Sequence, residues 1–184
     1  QPIAELNRGL ATFRQELAND TLAMKRVELA VVTFGPAQLL SDFQTPDLFM
    51  PPSLGSAGDT PIGGAIAGGL EMIRQRKQAY KTNGISYYRP WVFLITDGAP
   101  TDDWQAAAEM VKQGEAAKSF AFFAVGVEGA DMDILGRISA RAPLKLAGLR
   151  FSDLFAWLSS SLSNVSRSQM GQAVQLLPPG WAEV

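Results

Sequence analysis

Ile3, Leu6, Leu10, Phe13 and Leu17 recur at spacings of three and four, the stripe of an amphipathic helix, and Pro2 suits its first turn. The period then changes. Val27 to Phe34 (VELAVVTF) is β-branched and almost continuously apolar, which predicts a strand covered on both faces. A break at Gly35-Pro36 leads to Gln38–Phe43, read as an antiparallel edge strand in a hairpin with it. Residues 45–59 carry three Pro and two Gly and read as loop. A helix is predicted from Thr60-Pro61 to about Tyr80, with Ile62, Ile66, Leu70 and Ile73 as its stripe. Its glycines, Gly63, Gly64, Gly68 and Gly69, each cost about 1 kcal/mol against Ala in a helix interior. Close backbone approach to a sheet is the expected compensation.

Trp91–Thr96 (WVFLIT) is the clearest strand and runs straight into Asp97-Gly98. A helix over Asp103–Ala117, a strand over Phe120–Val127 and a short helix marked by Ile134, Leu135 and Ile138 follow. A short strand at Leu144–Ala147 precedes a last helix carrying Leu154, Phe155, Leu158, Leu162 and Val165. Strands alternating with helices predict an α/β fold: a doubly wound, mainly parallel sheet with one antiparallel edge strand and helices on both faces. Residues 1–165 read as a single domain. Residues 166–184 form a tail, either a flexible end or a strap docked by Trp181. A helix leads where such a sheet normally begins with a strand. A right-handed crossover into Val27–Phe34 needs a parallel strand ahead of residue 3, and none is present in this sequence.

Composition narrows the chemistry. A chain of 184 residues can bury roughly 70% of the surface it exposes unfolded. Sixteen basic against eighteen acidic residues give a net charge of −2, which argues against a nucleic-acid partner. There is no Cys and no His, which excludes disulfides, thiolate or Ser-His-Asp catalysis and imidazole or thiolate metal sites. A metal must be held by oxygen, as Mg²⁺, Mn²⁺ or Ca²⁺ is. No apolar run approaches the ~18 residues that span a bilayer, and no signal segment opens the chain. The expected setting is therefore the cytoplasm, without a membrane partner. The start at Gln1, with no Met, leaves an upstream segment open.

Ligands of open α/β sheets collect outside the carboxyl ends of the strands. Asp97 follows directly on WVFLIT, and the Thr60 hydroxyl at a loop-to-helix junction faces the same crevice in this reading. Carboxylate and hydroxyl together suit a small hard cation. Structural roles compete with this. Thr60-Pro61 is a good N-cap with Pro at the first helical position, and Asp97-Gly98 reads equally as a turn. Asp102 with Gln105 reads as a capping pair opening the next helix, and Trp104 as helix core or surface anchor. Arg74, Arg76, Lys77 and Lys81 suit the solvated C-terminal end of a helix. No P-loop, dinucleotide fingerprint or nucleophile elbow is present.

In order, these pieces resemble a von Willebrand factor A (vWA) domain from Ile3 to about Val165. Thr96-Asp97-Gly98-Ala99-Pro100-Thr101-Asp102-Asp103-Trp104 is the most specific stretch. It is similar to stand-alone bacterial vWA proteins of the tellurium-resistance-associated TerY type. Asp59-Thr60-Pro61-Ile62-Gly63 resembles the threonine-bearing loop of that family, and Pro2-Ile3 through Leu6-Asn7 the segment after its first metal motif. The resemblance implies a metal-ion-dependent adhesion site at the carboxyl edge of the sheet, with Thr60 as the second-loop ligand. Asp97 would be the third-loop ligand, often through water. The family's D-x-S-x-S motif and first strand, which lies between Val27–Phe34 and Trp91–Thr96, are absent from this sequence. With two of the family's five oxygen ligands, weak affinity for Mg²⁺ or none is expected of this chain alone. Backbone groups left unpaired by a missing central strand cost about 1–3 kcal/mol each when buried. The strand is therefore expected to exist, as an upstream segment, a separate or cleaved piece, or another chain's strand.

The resulting expectation is a non-enzymatic protein-interaction module. No nucleophile–base pair stands in the sequence, and in the family mechanism a partner's acidic side chain completes the coordination of Mg²⁺. Asp59, Asp102, Asp103 and Trp104 flank the two ligands and are assigned to partner contact. The TerY resemblance also implies partners of a stress-response system, a kinase or phosphatase among them. Two rivals stand beside it. One is a metal-free scaffold that binds through Trp104 or the 45–59 loop. The other is a receiver-like phosphotransfer domain with Asp97 as phosphoacceptor and Asp102 and Asp103 holding Mg²⁺.

Overall fold

A computed structural model describes residues 2–35, 38–56 and 58–183, with Glu183 described for its backbone alone. Gln1, Pro36, Ala37, Ala57 and Val184 lie outside the described residues, and with them the Pro36 half of the predicted break and the chain start read at Gln1. In chain order the elements begin with α1 (Pro2–Asn19), α2 (Ala23–Arg26), β1 (Leu29–Thr33) and β2 (Gln38–Gln44). Next come α3 (Ile62–Thr82), β3 (Trp91–Thr96), α4 (Gln105–Ala116) and β4 (Ala121–Gly126). The last are α5 (Met132–Ile138), β5 (Leu144–Leu146), α6 (Phe151–Arg167) and β6 (Ala182–Glu183). They divide between two units. One holds α1, α2, β1, most of β2, the following loop, α6 and the tail; the other holds α3 to α5 and β3 to β5.

In the first unit the stripe read from α1 buries Leu10, Phe13 and Leu17, and α6 buries Leu154, Phe155 and Leu158. The rings of Phe13 and Phe155 lie 5.4 Å apart. A Cβ on Gly9 would collide with the Phe155 ring, so the two helices cross where one side chain is missing. The four-residue α2 is set by Asp20, whose Oδ1 accepts the N–H groups of Leu22 and Ala23 at 3.0 Å each. Its other oxygen accepts from Arg167 at 2.8 Å. The Ala23 N–H first, and Arg167 second, hold the Asp20 carboxyl far below the usual carboxylate range. The tail is a docked strap: Trp181 is fully buried and packs edge-on against Trp157, 5.8 Å between centroids. The Trp157 indole N–H donates to the Leu177 carbonyl at 2.8 Å, and Arg150 to the Gly180 carbonyl at 2.8 Å.

β1 and β2 form an antiparallel two-stranded sheet of their own, and all five residues of β1 stay partly exposed. This corrects the expectation that β1 is covered on both faces, and the antiparallel pairing of β2 with β1 agrees with the hairpin read from the sequence. Mixed α/β character holds.

The second unit has β3, β4 and β5 side by side and parallel. β3 and β4 run in unbroken register from Trp91 opposite Ala121 to Thr96 opposite Gly126. Three helices cover one face, where Ile62, Ile66 and Leu70 of α3, Val111 of α4 and Leu135 and Ile138 of α5 enclose Leu94, Phe122 and Ala124. Trp91, Phe93 and Phe123 cluster together, with Phe93 and Phe123 stacked at 4.8 Å. Among the described residues β3 has one strand neighbour in this unit, β4. Only Leu94 and Thr96 of β3 are buried, although its sequence is as apolar as that of a central strand.

One charged cluster ties the lower part of this unit together. The Glu115 carboxylate, 8% exposed, accepts from Arg89 at 2.7 Å and from Arg141 at 2.7 and 3.2 Å. It also accepts the Phe122 N–H at 2.6 Å. Burial alone pushes this carboxyl up, but the hydrogen bonds of Arg141 and Phe122 and the charges of both guanidiniums outweigh it and hold it below its ordinary value. No helix among the described residues is long and apolar enough to cross a membrane.

Candidate functional site

The site residues named from sequence all lie in the second unit, at the end where β3 runs out. Thr96 is buried, and its hydroxyl accepts the Gly98 N–H at 3.2 Å, which turns the chain sharply after the strand. The Thr96 carbonyl accepts the Val127 N–H at 2.8 Å and keeps β4 alongside to the last residue. Gly129, at φ +98°, would place a Cβ 2.9 Å from the Asp97 carbonyl, so this approach requires glycine. Asp97 is thereby held at the strand's carboxyl end with its side chain exposed and carrying no hydrogen bond among the described residues.

Thr60 comes to the same rim. Its N–H donates to the Thr101 hydroxyl at 3.0 Å, and its carbonyl accepts the Thr101 N–H at 2.9 Å. Its Oγ1 lies 3.4 Å from where a Cβ on Gly98 would stand. The capping role expected of Thr60 is not there. Pro61 occupies the N-cap position of α3 without a side-chain cap, and the Thr60 hydroxyl makes no hydrogen bond among the described residues.

Asp102 supplies the cap instead. Its Oδ1 accepts the Gly63 N–H at 2.9 Å and its Oδ2 the Gly64 N–H at 2.8 Å. These are among the first helical N–H groups, which have no partner inside the helix. The expectation that Asp102 and Gln105 open α4 is therefore corrected, because Asp103 accepts the Gln105 N–H, at 3.2 Å. Both Asp102 oxygens are thus engaged on the first turn of α3. The glycine reading also needs correction. A Cβ on Gly63 would collide with the Asp103 carbonyl oxygen and stand 3.0 Å from the Trp104 Cα, whereas Gly68 and Gly69 face open space. Only the first of these glycines answers to a close backbone approach.

Asp59 and Asp103 are exposed on either side of Thr60 and Asp97 in sequence. Trp104 is half-buried and packs against the core of the unit, with the Arg137 guanidinium 4.9 Å from its ring centroid. Of the two roles weighed for Trp104, this packing matches the core one. Thr101 and Arg137 were missed in the sequence. Neither sits in a periodic pattern, though paired glycines opening a helix signal backbone N–H groups exposed to an acceptor. Comparison with known proteins finds no matching family model and no matching curated protein.

Proposed function

We propose that this chain is a non-enzymatic protein-interaction module of vWA type, binding its partner at the rim where Thr60 meets the end of β3. The observation that carries this reading is the unengaged Thr60 hydroxyl beside Gly98, the residue that follows the exposed carboxylate of Asp97. Both are hard oxygen donors suited to Mg²⁺, Mn²⁺ or Ca²⁺. Among the described residues no three His, Cys, Asp or Glu side chains gather as a metal-holding group. The donor set therefore fits such a cation only in part. An acidic side chain of a protein partner would supply further oxygen, with Asp59, Asp103 and Trp104 as the neighbouring contact surface. The parallel order of β3, β4 and β5 supports the sheet of a vWA architecture, and the single strand neighbour of β3 among the described residues of this unit supports a further strand from an upstream segment or another chain. A kinase or phosphatase partner rests on the TerY resemblance alone, and the cytoplasmic setting stays the expectation of the sequence. Engagement of both Asp102 oxygens on α3 weighs against the phosphotransfer rival, which needs Asp102 for Mg²⁺.

The two-oxygen donor set also favours a second reading, a metal-free scaffold using the same surface. Mn²⁺ titration of ¹⁵N-labelled protein separates the two. The expected result is selective broadening of the Thr60 and Gly98 amides, weakened several-fold by Thr60→Ala and by Asp97→Ala. Absence of broadening at those two amides removes the metal and leaves the scaffold.

A further inference from the structure

We infer that Asp102 is the positioning residue of this rim, holding the Thr60 segment against the end of β3 so that the Thr60 hydroxyl and the Asp97 carboxylate share one edge. Its functional meaning rests on the reading of Thr60 and Asp97 as one site. Four hydrogen bonds join residues 60–64 to residues 101–102. Two run from Gly63 and Gly64 to the Asp102 carboxylate, and two are exchanged between Thr60 and Thr101. The carboxylate meets the positive end of α3, where charge and hydrogen bonding act together. Trp104, two residues on from Asp102, and Ile62, two residues on from Thr60, are both packed in the core, and the four bonds join the segments beside these two anchors. Gly58, two residues before Thr60, stands at φ +81°, and the Thr60 hydroxyl makes no hydrogen bond among the described residues.

Chemistry explains the choice of Asp. Asn offers a single acceptor oxygen for the two N–H groups, and Glu is longer by a methylene where the backbone of Gly63 already lies against Asp103 and Trp104. A simple helix cap would serve α3 alone. Here the bonding continues through the adjacent Thr101 to Thr60, so the release of Asp102 frees the ligand-bearing segment and not only the helix end.

Amide hydrogen exchange, followed by NMR without added metal, tests this on Asp102→Ala, Asp102→Asn and Thr101→Val. In Asp102→Ala, exchange at Gly63, Gly64, Thr60 and Thr101 is expected to rise about tenfold or more, while Val111 and Phe122 stay within about twofold. Asp102→Asn is expected to show the same pattern at smaller size, and Thr101→Val to speed Thr60. Faster exchange confined to Gly63 and Gly64 makes Asp102 a cap and overturns the inference. Should Asp102→Ala lose protection throughout the unit, the other two variants decide, and unchanged Thr60 exchange in both overturns it. A failed Mn²⁺ titration of the wild type removes the metal reading without touching these exchange rates. Mn²⁺ broadening of Thr60 and Gly98 that survives Asp102→Ala undiminished contradicts the positioning role.

Discussion

Glu115→Gln is expected to lower stability by about 2–3 kcal/mol, less than the ~3–5 kcal/mol of breaking a fully buried pair. The discount follows from the partners, since Arg89 and Arg141 are 32% and 43% exposed and keep water on one side. What remains is a nearly buried acceptor shared by two guanidiniums and the Phe122 N–H, and an amide cannot serve all three. The pH dependence has a definite sign. The folded-state pKa lies below the ordinary 4.5, so the contribution is complete above that value and disappears as pH falls through the lower, folded one. Urea unfolding at a series of pH values below 4.5 is expected to show wild-type stability falling toward that of the variant. Parallel curves for the two proteins would show that the carboxylate charge contributes nothing.

Gly63→Ala is expected to cost about 2–3 kcal/mol and Gly68→Ala to raise stability by about 0.5–1 kcal/mol, although both are glycines of one helix. The difference lies in what a methyl group meets. At Gly63 it is the backbone of Asp103 and Trp104, which cannot retreat without releasing the Asp102 bonds; at Gly68 there is nothing within 4 Å. Equal effects of the two substitutions would place α3 wrongly against the 101–104 segment.

These same glycines show what the sequence could carry and what it could not. WVFLIT reads as a strand because six consecutive residues share one pattern, and β3 has those bounds. α1, α3 and α6 are legible for the same reason, since most of their apolar stripes lie on the surfaces they bury. α2 and β6 have four and two residues, too few for any period. A row of glycines announces missing side chains but not which of them faces a neighbour. Asp102 illustrates the general difficulty. Its spacing to Gln105 matched a local cap, while its partners stand 38 and 39 positions away. Glu115 likewise meets both guanidiniums 26 positions away. Short-range rules see neither. The placement of Thr60 beside the end of β3 could be read because Asp97 follows a readable strand and Thr60 precedes a readable helix, α3, which packs on that strand.

The chain contains no Cys, so Thr60→Cys with Gly98→Cys introduces its only two thiols and gives the most direct test that these segments form one rim. Mild oxidation followed by intact mass and peptide mapping is expected to yield an intramolecular disulfide, since the Thr60 Oγ1 is 3.4 Å from the Cβ position at residue 98. A control pairing Thr60→Cys with Gly68→Cys is expected to stay reduced. Free thiols or only intermolecular dimers in the first variant would mean that Thr60 does not stand beside the end of β3, and a shared site for the two oxygens would then have no geometric basis.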